Sequence, residues 1–283
     1  MNSSLLLSIT TFAYLICALL YLLAVIFRLR PLLLFGTLSG FATWLLQTAA
    51  ILLRWKESHD LGFGHAPLSN LYESLVFGAW AVMLIYLITE VKTKQRALGV
   101  FPATVAFLAM AYASFSPEVS AKIQPLLPAL KSNWLIAHVV TCFLGYAAFA
   151  ISFGLSAVYV FHGFSYPEID DGRHQTSWVP DRKHLDELNY QMILFGFLLL
   201  SLGIITGAVW ANSAWGSYWS WDPKETWSLI TWLIYAALLH ARAVQGWRGD
   251  RVAWLSMVGF VSMLFTYFGV NFLLSGLHSY GSS

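Results

Sequence analysis

Asn189-Tyr-Gln-Met-Ile-Leu-Phe-Gly-Phe-Leu-Leu-Leu-Ser-Leu-Gly-Ile-Ile-Thr-Gly-Ala-Val-Trp-Ala211 runs for 23 residues without an Asp, Glu, Lys or Arg. A bilayer core about 30 Å thick is crossed by about 20 helical residues rising 1.5 Å each, so this stretch reads as a membrane-spanning helix. Working outward from it by the same rule gives eight apolar runs, at 5–27, 32–53, 70–89, 98–115, 134–162, 189–211, 225–241 and 253–274, the fourth being the shortest. Composition agrees: 58% of the 283 residues are hydrophobic and 11% are charged, where a soluble domain is about a quarter charged. A soluble enzyme, a disordered protein and a nucleic-acid-binding module are excluded on that balance. The net charge of +2 says nothing about partners. The reading is an all-α polytopic membrane protein with about eight helices, forming one domain over 1–283 without linker, internal repeat or the paired short helices of an inverted-repeat transporter. The first run has no basic segment before it and continues directly to Arg28 and Arg30, so a retained helix is expected rather than a cleaved signal peptide. Cys17 and Cys142 each lie inside an apolar run and no CxxC exists, which points to packing rather than thiol redox chemistry.

Basic residues set the orientation. The loops after the first, third, fifth and seventh runs hold eleven Lys and Arg, and the loops after the second, fourth and sixth hold five. Both tails hold none. The bias places the odd loops in the cytoplasm and both termini outside. The polar stretch 164–188 is then cytoplasmic. The loop over 212–224 is external.

That external loop is the most unusual segment of the chain. Trp215, Trp219, Trp221 and Tyr218 crowd into seven residues. A headgroup-level aromatic belt accounts for one or two Trp at a helix end and poorly for this density. The cluster would also make a rigid apolar shelf edged by indole N–H donors, suited to a planar macrocycle. Both readings stay open on composition alone. Asp222-Pro223-Lys224-Glu225 has the form of an N-cap, a Pro at the first helical position and a Glu at the third, a capping box that would start the next helix and hold the shelf in place.

Topology sorts the eight histidines. His174 and His184 fall in the cytoplasmic loop, His162 ends the fifth run on the inner side, and His59 and His65 lie in an external loop. His138 stands about one turn inside the outer edge of the fifth helix, and His278 lies four residues past the eighth run. Both share the level of the Trp cluster, where two neutral imidazoles could ligate a haem iron from opposite sides; a hydrogen-bonded interfacial role is the plainer alternative for each. His240 lies about 25 Å along the seventh helix, near the inner face, where an ionisable group is a candidate functional site. Apart from His162 it has no second His at its depth, which leaves room for a ligand from another chain. Run interiors hold almost no charged residues, unlike a proton-coupled pump, and no helix carries the two spaced His of a di-haem cytochrome b.

The run Trp215-Gly-Ser-Tyr-Trp219-Ser-Trp221-Asp222-Pro223-Lys224-Glu225-Thr-Trp227 resembles the tryptophan-rich "WWD" signature of haem-handling membrane proteins. Gly64-His65-Ala-Pro67-Leu-Ser69-Asn70-Leu-Tyr72-Glu73, Ser132-Asn133-Trp134, Leu239-His240-Ala-Arg242 and Gly269-Val-Asn271-Phe-Leu-Leu-Ser-Gly276-Leu-His278-Ser-Tyr-Gly281 extend the likeness over most of the chain from about residue 60. Within that group it most resembles the CcsA/ResC family of system II cytochrome c biogenesis. The system I CcmC family shares the loop but matches the Asp-Pro-Lys-Glu-Thr-Trp continuation less well.

The resemblance implies a subunit of a cytochrome c synthase acting with a CcsB/ResB partner. Haem b would enter from the cytoplasmic side and reach an external site under the loop, its iron held by two His that match His138 and His278. An inner haem ligand matches His240, with its counterpart supplied by CcsB. Trp215, Trp219 and Trp221 are expected at the haem face or edge, with Asp222 supporting them. The haem vinyls would be joined to the thiols of an apocytochrome c CxxCH motif, with the haem kept reduced. The implied location is the inner (plasma) membrane, or the thylakoid membrane in a photosynthetic source, with the loop on the outer, periplasmic side. The CcsB part, fused in some members, is expected here as a separate chain. Two other readings stand beside this one: a non-catalytic haem-binding or regulatory protein of HemX or CcmC type, and a transporter of another planar hydrophobic ligand.

Overall fold

A computed structural model of the chain describes residues 2–165 and 180–274. Among these residues eight helices are long and apolar enough to cross a membrane. They are α1 (Ser3–Ile26), α2 (Arg30–Asp60), α3 (Leu71–Thr93), α4 (Val100–Phe115), α5 (Asn133–Ser165), α6 (Arg182–Trp215), α7 (Pro223–Gln245) and α8 (Asp250–Leu273). The eight apolar runs of the sequence are these eight helices, and the fold is all-α. A 3-10 turn at Arg96–Gly99 leads into α4, lengthening that short element at its N-terminal end.

Helix ends follow local chemistry. Asn2, Asn70 and Asp181 cap α1, α3 and α6 by accepting the backbone N–H of Leu5, Glu73 and His184, each satisfying an orphan donor of a first turn. Gly216 ends α6 with φ 77°, a left-handed conformation that a side chain disfavours. The loop expected over 212–224 is therefore shorter, with its non-helical part confined to 216–222, between this cap and the start of α7.

Several helices outrun their apolar runs, α2 and α6 by the most. α2 continues from residue 53 to Asp60, and α6 begins at Arg182 instead of residue 189. Polar residues in these extra turns pair across the bundle. Arg54 Nε lies 2.8 Å from Glu73 Oε1, with the two side chains 3% and 1% exposed, and Arg54 Nη1 donates to the Ala121 carbonyl at 3.0 Å. At the other end Arg242 Nη1 lies 2.8 Å from Asp186, whose carboxylate also accepts the Gly249 N–H at 2.8 Å. Removing one partner of a pair this buried costs about 3–5 kcal/mol, because the other charge is left uncompensated.

The connections α2–α3, α4–α5 and α6–α7 lie at one end of the bundle, called here the loop end, together with the start of α1 and the end of α8. α1 is fixed there by Ser3, whose N–H donates to Glu57 at 2.8 Å. α1 packs on α2 and α4, α3 joins α4 to α5, and α5 runs antiparallel along α6 and against α8, which α7 covers. Lipid tails are as apolar as Leu, so interior contacts need shape and hydrogen bonds. Tyr14 donates to Gln47 at 2.6 Å, and Gln47 to the Val76 carbonyl at 2.9 Å, tying α1 to α2 and α3. Ser152, Asn189 and Ser256 link α5, α6 and α8. The outward faces carry large aliphatics such as Ile205 and Val261, each 60% exposed, the reverse of a soluble surface and suited to hydrocarbon.

Candidate functional site

Gly203-Ile-Ile-Thr-Gly207 on α6 is a small-xxx-small pair, the pattern that lets two helices approach closely. A Cβ on Gly203 would come within 2.5 Å of Cys142 Sγ, and one on Gly207 within 2.6 Å of His138 Nδ1. The absence of both side chains lets His138 lie against α6. Its Nδ1 is 2.7 Å from the Gly203 carbonyl. A carbonyl only accepts, so the neutral ring carries its proton on Nδ1 and its lone pair on Nε2. This is the orientation that a backbone carbonyl imposes on metal-ligating imidazoles. Trp210 holds the ring from one side, its plane 19° from that of the imidazole at a centroid distance of 5.9 Å. Trp210 is itself fixed by an indole N–H to the Ala129 carbonyl at 2.9 Å.

His138 lines a cavity of about 210 Å³ at the loop end. α5 supplies Cys142 and Tyr146 as well, α6 supplies Gly207 and Trp210, the loop supplies Tyr218 and Trp219, and α8 supplies Thr266, Tyr267 and Asn271. α8 reaches the cavity through a π-helical turn at Phe265–Gly269, a bulge often found at functional sites. Within the turn Thr266 donates back to the Ser262 carbonyl at 2.9 Å, and Ser74 and Tyr267 meet oxygen to oxygen at 2.7 Å. The wall is aromatic and aliphatic with a few fixed polar groups, the usual make-up of an organic-ligand site.

Of the residues singled out in the sequence, the cavity gathers His138, Tyr218 and Trp219, with Lys224 and Glu225 of the capping segment. Trp215 sits behind it, edge-on to Trp210 at a centroid distance of 4.9 Å. Trp221 is 69% exposed, with a left-handed φ of 59°, a conformation uncommon for a bulky residue and of the kind found at functional sites. Asp222 is buried and closes the capping box: its side chain accepts the Lys224 N–H at 2.9 Å, while Glu225 accepts the Asp222 N–H at 3.2 Å. His240 is exposed near the far end of α7, away from the cavity. His278 lies outside the described residues, as does His174. His65 is buried and braces two loops, with Nε2 2.9 Å from the Gln124 carbonyl, while His59 is exposed beside Trp55.

The sequence reading passed over Gly203 and Gly207, and it gave Trp210, Lys224 and Asn271 no part in a binding site. The Gly-x-x-x-Gly spacing was the available signal for the His138 seat. Among the described residues no group of three His, Cys, Asp or Glu could hold a metal ion.

Residues 68–278 match the family described as Cytochrome C assembly protein. Among curated relatives, the chain is 40% identical to the cytochrome c biogenesis protein CcsA of Gloeobacter violaceus, over 95% of this chain and 93% of that protein. It is 42% identical to the CcsA of Mesostigma viride, over 94% and 93%. Among solved structures, the cytochrome c haem lyase CcmF shares the fold, with a TM-score of 0.70 at 22% identity over 95% of this chain; the chain spans 47% of that one's length. The chain therefore belongs to the cytochrome c assembly protein family, in its CcsA/ResC branch.

Proposed function

We propose that this chain is the haem-presenting subunit of a system II cytochrome c synthase. The observation that carries the reading is His138: its ring is locked by the Gly203 carbonyl at 2.7 Å, inside an aromatic cavity next to the Trp-rich loop. In this reading haem b is the cargo and substrate. His138 takes one axial position of its iron and His278 the other. Trp219 and Trp210 supply apolar contact, and Asp222 fixes the start of α7 so that the loop keeps its place. The loop end faces outside, where the apocytochrome CxxCH motif is delivered. Each thiol S–H then adds across one haem vinyl, forming a C–S bond and a C–H bond with no net redox change.

His240 is exposed on α7 near the cytoplasmic end of the bundle in this orientation. Its placement supports a role as an inner haem ligand at an interface with a CcsB/ResB partner that brings the second ligand. The test is cytochrome assembly in cells lacking the native chain but retaining its partner. His138→Ala should abolish covalent haem on a c-type cytochrome reporter, and added imidazole should partly restore it by filling the vacated position. Full assembly by His138→Ala without imidazole would end the reading. Normal reporter assembly without this chain, alongside altered haem-dependent regulation, would favour the non-catalytic haem-binding alternative.

A further inference from the structure

Lys224 is the second residue of α7, a position where the helix dipole disfavours a cation. Its side chain nevertheless lines the cavity that contains His138. Its Nζ donates to Asn271 Oδ1 at 3.0 Å. Asn271 is held in that orientation by its own Nδ2, which donates to the Tyr267 carbonyl at 2.7 Å. Among the described residues no carboxylate lies within ion-pair distance of the ammonium. The two acidic neighbours hold backbone partners of their own: Glu225, which also lines the cavity, accepts the N–H groups of Ser220 and Asp222, and Asp222, whose charge acts on the ammonium through space, accepts the backbone N–H of Lys224 with Oδ1.

An ammonium has three donors, and among the described residues one of them has a hydrogen-bond partner. A cation in an apolar cavity, hydrogen-bonded to a neutral amide oxygen, is costly unless an anion completes the site. We propose that Lys224 is that cavity's anion-binding group and receives a carboxylate of the porphyrin, with Asn271 positioning the ammonium. The inference rests on the haem reading of the cavity and adds an orientation to it. Haem b carries its two propionates along one edge and its vinyls along the opposite side of the ring. Anchoring the acid edge at Lys224, where α7 meets α8, turns the vinyl edge away from that corner. The cavity then selects a porphyrin acid over an uncharged macrocycle and presents one defined edge for thiol addition.

The test uses the full-length protein purified in neutral detergent, titrated with haemin and with haemin dimethyl ester, both followed by quenching of tryptophan fluorescence against empty micelles. Wild type should bind haemin about 10- to 100-fold more tightly than the ester, the range of a hydrogen bond to a charged group. Lys224→Met should lose that preference by weakening haemin alone, and Lys224→Arg should keep it. Equal binding of acid and ester by wild type would overturn the inference, and this arm needs no variant that might not fold. Equal weakening of both ligands by Lys224→Met would also overturn it, leaving Lys224 a brace between α7 and α8. Binding of neither ligand by wild type would refute the haem reading itself and this inference with it.

Discussion

Gly207→Ala should damage the haem site through one contact. The added methyl would lie 2.6 Å from His138 Nδ1 and 2.7 Å from Cε1, well inside van der Waals contact. The ring has one way out, which is to swing off α6 and give up its 2.7 Å hydrogen bond to the Gly203 carbonyl. Overpacking of this kind costs about 1–3 kcal/mol, and a lost hydrogen bond about 0.5–1.5 kcal/mol. Against this, replacing Gly by Ala inside a helix gains about 1 kcal/mol. The substitution should therefore destabilise the wild-type protein by about 0.5–3.5 kcal/mol. In a His138→Ala background the clashing atoms and the hydrogen bond are gone, so the same change should become neutral or stabilising by up to about 1 kcal/mol. The assay is a double-mutant cycle on detergent-purified protein unfolded by increasing dodecyl sulfate and followed by tryptophan fluorescence. The helix gain cancels in the cycle, so the expected coupling between the two positions is about 1.5–4.5 kcal/mol. Costs that simply add, within about 0.5 kcal/mol, would refute the claim that Gly207 exists to seat His138.

His240→Ala should leave stability within about 0.5 kcal/mol, as for an exposed side chain, yet lower the haem content of the outer cavity in protein isolated from cells; equal haem content would rule out an entry role. Trp219→Ala should weaken haem binding more than Trp221→Ala, since Trp219 lines the cavity and Trp221 is exposed. Asp222→Ala should cost about 1 kcal/mol of helix capping, with Asp222→Asn and Asp222→Ser milder still; a larger loss of haem from Asp222→Ala than from Trp219→Ala would give Asp222 a direct contact with the ligand. A reporter enzyme active only in the cytoplasm should be silent when fused after Ser283, and one active only outside should work there. The opposite pair of results would invert the topology and remove the loop from the compartment where apocytochromes are delivered.

The eight spans were legible because a bilayer imposes one length rule and water-soluble alternatives cannot tolerate so few charges. The extra turns of α2 and α6 were not, because hydropathy scores Arg54 and Asp186 as loop residues. Only the tertiary structure reveals that Glu73 and Arg242 neutralise them inside the bundle. Glu90 escaped notice for the same reason: it lies just past an apolar run, yet it is 4% exposed and accepts from Tyr21 at 2.9 Å. At the site, depth along α5 was enough to single out His138, and the capping chemistry of Asp222-Pro223-Lys224-Glu225 was readable from four residues. The Trp cluster was read as a single shelf, and the backbone divides it. Gly216 ends α6 directly after Trp215, so Trp215 stays on the helix against Trp210, while a left-handed backbone leaves Trp221 exposed. Lys224 was read as a loop charge and as part of the capping segment, because which cavity a side chain lines depends on how α7 meets α8, and no local pattern records that.

The most direct measurement is the absorption and electron paramagnetic resonance spectrum of haem bound to the purified protein and oxidised to the ferric state, wild type against His138→Ala. Wild type should show six-coordinate, low-spin haem with two nitrogenous axial ligands. His138→Ala should show either loss of haem or conversion to a high-spin form that returns to low spin when imidazole is added. A low-spin spectrum in His138→Ala identical to that of wild type, at equal haem content and without imidazole, would show that the iron is held elsewhere.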